Sequence, residues 1–270
     1  MANPIVQFYR FDSPEIQKNK DLLVKTINKG YAIFKDKFGL ITSPRIQNSL
    51  EKDFQLTDVA SSYMVLMFAP ELTMDNTQVF INTDDNGTIT REKLTQLYKD
   101  RLDLSDYSME FDDLLLQKFN QLKNKNGKLY STYKNGNDVN NNQLVNTVSP
   151  QIPEVSEFHK RFLGMTCLKP HEADNTYEVT GFISFYPGAG KSLMEINDYL
   201  CSDIVKTSKV WVIAIHEHKL KLLYEKFGYK WHELESVSIS GGLSTEKLES
   251  ALVATSDFHL DIMSKNYPLR

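Results

Sequence analysis

The sequence predicts a mixed α/β (α+β) fold, a central sheet flanked by helices. Three observations predict it. The C-terminal half reads strand, glycine turn, helix, strand, helix and two last strands, an order typical of a mixed sheet. The N-terminal half opens with an apolar strand and then shows a complete helix-start signal. The 270 residues are 41% apolar and 24% charged, ordinary for a globular chain and enough for a core without disulfides or metals.

Each element has its own warrant. Ile5 to Phe11 is an apolar strand. Ser13 suits a helix cap, Pro14 the first helical position and Glu15 the positive end of the dipole, while Ile16, Leu23 and Ile27 form an apolar stripe. Ser43-Pro44 repeats the start signal for a second, shorter helix. Ser62 to Ala69 reads as a buried strand and Gln78 to Asn82 as another. Two further helices are predicted, one carrying Leu94, Leu97 and Tyr98, the other running from a cap at Ser108 through Phe111, Leu114, Leu115 and Leu122. Strands follow at Phe162 to Leu168 and Tyr177 to Tyr186. A helix with Leu193, Ile196, Leu200 and Ile204 on one side comes next, then a buried strand at Lys209 to Ile215. Leu220, Leu223, Tyr224 and Phe227 mark a short helix ended by Gly228. Tyr229 to Val237 and Ser256 to Met263 are the last strands.

Composition narrows the function classes. Thirty-one basic against 35 acidic side chains give a net charge of −4. That balance lacks the basic surplus of a protein whose main partner is nucleic acid. No apolar run is long enough to cross a bilayer, and the Met-Ala-Asn-Pro start lacks a secretory pattern, so no membrane partner is expected. Cys167 and Cys201 have no metal spacing and are too few for a disulfide framework, which fits a reducing, cytoplasmic interior. Nine asparagines fall between Asn120 and Asn146, with four lysines and one acid, Asp138. Such a stretch buries too little apolar surface to order itself, so 123–150 is predicted to be a solvated, mobile loop.

Two motifs are weighed first. Asn82, Asp84, Asn86, Gly87 and Ile89 fall at calcium-loop positions, but the bidentate acid is replaced by Lys93. A tight Asp-Asn-Gly turn is the better reading. Pro187-Gly188-Ala189-Gly190-Lys191-Ser192 follows a strand and opens a helix, where backbone N–H groups and the dipole favour phosphate. A phosphate-binding P-loop needs another glycine five residues before Gly190, where Phe185 stands.

That loop, its helix, the next strand and Leu223-Tyr224-Glu225-Lys226-Phe227-Gly228-Tyr229 together resemble the GNAT superfamily of N-acetyltransferases. The family's acetyl-CoA loop reads Gln/Arg-x-x-Gly-x-Gly/Ala, matched here at Gly190. Pro187 and Ser192 depart from it. The later helix commonly reads Leu-Tyr-Glu-Lys-x-Gly-Phe/Tyr. The resemblance covers roughly 155–264. It implies a mixed, mostly antiparallel sheet and acetyl transfer from acetyl-CoA to an amine. It implies that Gly188, Ala189, Gly190, Lys191 and Ser192 hold the cofactor, and that Tyr224 is the acid for the leaving thiolate. Glu178, on the strand leading to the loop, is the first choice of base, with His216 and Glu217 as rivals.

Two other functions stay open at this stage. One is a nucleotide-dependent phosphotransferase using a degenerate loop at 188–192. The other is a GNAT-like binding module without catalysis, suggested by the departures at Pro187 and Ser192. The expected organisation is one domain over 1–270, with an inserted helical and Asn-rich segment at about 84–150. If the chain assembles, a homodimer is the commonest closed form.

Overall fold

The structure is a computed structural model and describes residues 2–71, 91–118, 129–131, 143–145, 150–242 and 252–268. It is a mixed α/β fold built on a large, mostly antiparallel sheet with flanking helices. The chain divides into two compact units. The first comprises Met1–Lys18, Tyr63–Thr166 and Ser184–Tyr199; the second comprises Asn19–Ser62, Cys167–Ile183 and Leu200–Arg270.

In the first unit β1 (Ile5–Arg10) lies between β2 (Tyr63–Phe68), antiparallel, and β3 (Ser108–Phe111), parallel. β2 is buried at every position, as its unbroken apolar run requires. Phe8 and Phe111 are register partners and stack at 4.5 Å. Helix α1 (Pro14–Lys18) starts where Ile16 N–H donates to Ser13 Oγ at 3.3 Å, so the cap predicted at Ser13 forms. The other helices of this unit are α4 (Arg91–Tyr98), α5 (Asp113–Lys118), α6 (Val155–Arg161) and α7 (Ala189–Tyr199). The first two helices of the second unit are α2 (Lys20–Phe38) and α3 (Leu50–Asp53).

The second unit carries the rest of the sheet, in the order β10 (Val237–Ile239), β11 (Phe258–Asn266), β8 (Lys209–Ile215), β7 (Thr176–Ser184), with β9 (Lys230–Trp231) also on β11. β11 and β8 pair antiparallel from Leu260↔Ile215 to Asn266↔Lys209. β6 (Phe162–Pro170) and β7 form a hairpin whose turn closes with His171 N–H donating to the Thr176 carbonyl at 2.9 Å. Helix α8 (Lys221–Lys226) follows β8. β7 and β6 each run from one unit into the other.

Several elements differ from the expectation. Ser43-Pro44 starts no helix. The short helix begins at Leu50, where Ser49 Oγ accepts from Lys52 N–H. The segment from Ser108 is first the strand β3 and then α5, because Met109 and Phe111 are buried as alternating strand residues beside β1. Tyr229 to Val237 is not one strand: a single helical turn at Glu233–Glu235 separates β9 from β10. Within the Asn-rich stretch, read as a loop, the backbone forms two short paired strands, β4 (Leu129–Ser131) and β5 (Gln143–Val145). The strand expected at Gln78 to Asn82 and most of the calcium-like loop lie outside the described residues.

Candidate functional site

The parallel pair β7/β8 sets the geometry. It is laddered from Thr176↔Lys209 to Val179↔Val212 and no further, though β7 continues to Ser184 and β8 to Ile215. No ladder joins the two strands beyond Val179 and Val212. The cause is local. Gly181 sits within β7 at φ +58°, a conformation side chains rarely adopt in a strand. A Cβ there would come within 2.9 Å of Phe54 Cζ and 3.1 Å of Cys167 Sγ. The facing edges past Gly181 have no strand-to-strand ladder, and backbone N–H and C=O groups need partners.

The predicted cofactor loop lies in the first unit. Gly188 has φ +89°, and a Cβ on it would meet Leu104 Cδ1 at 2.9 Å. The N–H groups of Ala189, Lys191 and Ser192 close the turn, donating to the carbonyls of Tyr186 (3.1 Å), Gly188 (3.0 Å) and Gly188 (3.3 Å). That leaves Gly190 as the first-turn amide with no such bond among the described residues. Ser192 is buried, and its hydroxyl donates to the Leu104 carbonyl at 3.1 Å. Lys191 is largely exposed and reaches Glu195 at 3.6 Å, one helical turn on. The predicted apolar side is buried: Leu193 and Ile196 on α7, and Leu200 and Ile204 on the π-helical stretch Leu200–Val205 that follows it.

Tyr224 and the candidate bases lie in the second unit. Tyr224 is buried on α8, its ring edge-on to Tyr229 at 5.7 Å. The motif explains this contact. Gly228 N–H donates to Glu225 O and Tyr229 N–H to Tyr224 O, turning the chain back so that the two rings meet. Burial pushes the Tyr224 phenol well up, with Tyr31 adding to the shift, so it keeps its proton.

Glu178 is buried on β7, 3.5 Å from Lys169 Nζ and 3.4 Å from His171 Nδ1. Burial alone would raise its pKa. The hydrogen bond with His171 and the charge of Lys169 outweigh that and hold the carboxyl below the usual range. Lys169 also donates to the Phe54 carbonyl at 3.0 Å, and Arg45 to Thr180 Oγ1 at 3.3 Å, so this face of β7 is a buried polar cluster.

The rivals sit just past β8. His216 Nδ1 lies 3.0 and 3.1 Å from the two carboxylate oxygens of Asp261 on β11. The Asp261 side chain is 3% exposed and that of His216 52%. Glu217 instead accepts from the backbone N–H of His259 at 3.2 Å and approaches its ring at 3.3 Å. His218 is packed against Phe34 and Phe38, both at 4.8 Å, and burial lowers its pKa to about 4. Asp261 is the residue that sequence reasoning missed. Its signal was present: a carboxylate inside the apolar run Phe258 to Met263.

Among the described residues no cluster of His, Cys, Asp or Glu could hold a metal ion, and no helix is long and apolar enough to cross a membrane.

Solved structures similar to this chain include spermidine/spermine N-acetyltransferase SpeG from Vibrio cholerae, at 14% identity, TM-score 0.30, over 41% of this chain and 61% of that one. A GNAT-family acetyltransferase from Streptococcus pneumoniae aligns at 13% identity and TM-score 0.30, over 39% and 60%. A probable acetyltransferase from Staphylococcus epidermidis aligns at 5% identity and TM-score 0.30, over 40% and 63%. The chain thus spans less than two thirds of those proteins. No curated protein matches it. The family model described as sporulation protein RMD6 matches residues 7–267, so the chain belongs to that family.

Proposed function

We propose that this protein transfers an acyl group, acetyl in the expected case, from a coenzyme A thioester to an amine. The observation that carries the reading is the end of the β7/β8 ladder at Val179 and Val212, short of the ends of both strands. The pantetheine arm of coenzyme A is extended and carries amide groups, which suit the facing strand edges. Acetyl-CoA, when bound, supplies the activated acyl group. A backbone N–H on the β7 edge would hold the thioester oxygen as charge develops on it. Tyr224, kept protonated by burial, would give its proton to sulfur as the C–S bond breaks.

A second reading rests on the loop itself. The N–H groups of Ala189, Lys191 and Ser192 and the Ser192 hydroxyl already have acceptors, which suits a GNAT-like binding module that holds CoA weakly or not at all and acetylates no amine.

Thermal melting in acetyl-CoA, and separately in ATP with magnesium, tests the reading. At a hundredfold excess over Kd, acetyl-CoA should add about 2.7 kcal/mol of stability. A shift with ATP and none with acetyl-CoA would favour phosphotransfer. A weak or absent acetyl-CoA shift, with no free CoA released across a panel of amines, would favour the binding module. Tyr224→Phe should keep the acetyl-CoA shift and lower kcat by roughly 100-fold; unchanged kcat removes the acid role.

A further inference from the structure

Three carboxylate or imidazole groups compete to be the base, and each has different partners. Glu178 is committed to Lys169 and His171. Glu217 is committed to the backbone and ring of His259. His216 is the one with a buried carboxylate on one ring nitrogen and a side chain half open to solvent. Its position follows from the strands. β7 and β8 run parallel from their laddered start to their unladdered end, and His216 is the first residue after β8. Asp261 stands opposite Ala214 in the β11/β8 register, at the same end. Glu178 pairs in register with Trp211, three residues from Ala214. Side chains alternate along β8, so Glu178 and Asp261 belong to opposite faces of the sheet.

We propose that His216, oriented by Asp261, takes the proton from the acceptor amine; the inference rests on the acyl-transfer reading above. The Asp261 carboxylate accepts from Nδ1–H, which fixes the tautomer and presents the Nε2 lone pair outward. The ammonium proton passes to Nε2, and Asp261 stabilises the imidazolium. The freed nitrogen pair forms the C–N bond, the C–S pair leaves on sulfur, and sulfur takes the Tyr224 proton. The amide nitrogen sheds its remaining extra proton to water, which also restores the phenol through solvent. Other charged groups beside the dyad are Glu217 on the same turn and His259 on β11, whose ring lies 6.4 Å from that of His216.

The test compares wild type, His216→Gln and Asp261→Asn, with an alkylamine and an aniline as acceptors. His216→Gln should keep the acetyl-CoA melting shift and lose at least roughly 100-fold in kcat/KM for the alkylamine, with the acidic limb of its pH profile gone. The loss should be small for the aniline, which is already neutral. Asp261→Asn should keep the acetyl-CoA shift and lower kcat/KM for the alkylamine, because the ring loses the acceptor that orients it, and the loss should again be small for the aniline. Its folding is checked by melting, and His216→Gln carries the test if it unfolds. Wild-type turnover with an unchanged limb and rate in His216→Gln would overturn the dyad and leave acyl transfer standing. No acetyl-CoA shift and no turnover in wild type would overturn both.

Discussion

Replacing Glu178 by glutamine separates an anchor from a base. The side chain is 7% exposed, as is that of Lys169 beside it. Glutamine keeps the volume but removes the charge that Lys169 and His171 face. Breaking a buried pair by removing one partner costs roughly 3–5 kcal/mol. Lys169 keeps its 3.0 Å bond to the Phe54 carbonyl, and the new amide oxygen still accepts. The net loss is therefore set at about 2–3 kcal/mol. For a chain of this size that is a fall in Tm of about 4–6 °C. The pH dependence follows from the direction of the shift. Glu178 titrates lower in the folded chain than in the unfolded one. Its contribution is complete above the unfolded carboxylate pKa of about 4.3, and it is lost as pH falls through the folded value. The gap between wild type and variant, read by calorimetry, should be full at neutral pH and close in acid. A Tm within about 1 °C of wild type, together with lost acyl transfer, would refute the anchor and make Glu178 the base.

Gly181→Ala should lower stability by roughly 1–3 kcal/mol, since the new Cβ meets Phe54 and Cys167 at a positive φ. It should also abolish the acetyl-CoA melting shift; a retained shift would detach the end of the ladder from ligand binding. His218, with its pKa lowered to about 4, binds its proton more readily unfolded than folded. Stability should therefore decline as pH falls from the unfolded histidine pKa of about 6.5 toward the folded value, and stay level above it. His218→Gln should flatten that decline between those limits, and an unchanged decline would place its source elsewhere.

Elements with a repeating pattern were legible in the sequence, and elements defined by a few contacts were not. β8 runs from Lys209 to Ile215 as its apolar run indicated, and the buried side of α7 is the predicted one. At Ser108 a four-residue strand was hidden by leucines further on. Met109 and Phe111 fit either period, and only pairing with β1 decides between them. Ser43-Pro44 carried a start signal without an apolar stripe behind it, and local capping alone does not nucleate a helix. The helical turn between β9 and β10 closes with Trp231 Nε1–H donating to Ser236 Oγ, a contact that periodicity does not encode.

The site shows the same division more sharply. A carboxylate in an apolar strand must be paired, hydrated or functional. Applied once, that rule selects Glu178; applied again, it selects Asp261. The sequence cannot rank the two, because the rank depends on partners from other elements. Glu178 faces a lysine that is itself buried, so its charge is spent on holding β7 to the hairpin and α3. Asp261 faces a histidine whose ring is half in solvent, so its charge remains able to stabilise a proton arriving from outside. Forty-five residues separate His216 from Asp261. Only the antiparallel register of β11 on β8 places them together, at the end where no ladder joins β8 to β7. The acyl transfer proposed above would need a proton acceptor with an open face at that end, and the Glu178 pair is buried at both partners. Under that proposal, the end of the β7/β8 ladder, which leaves backbone edges without strand partners, would also set which acid–base pair meets an acceptor.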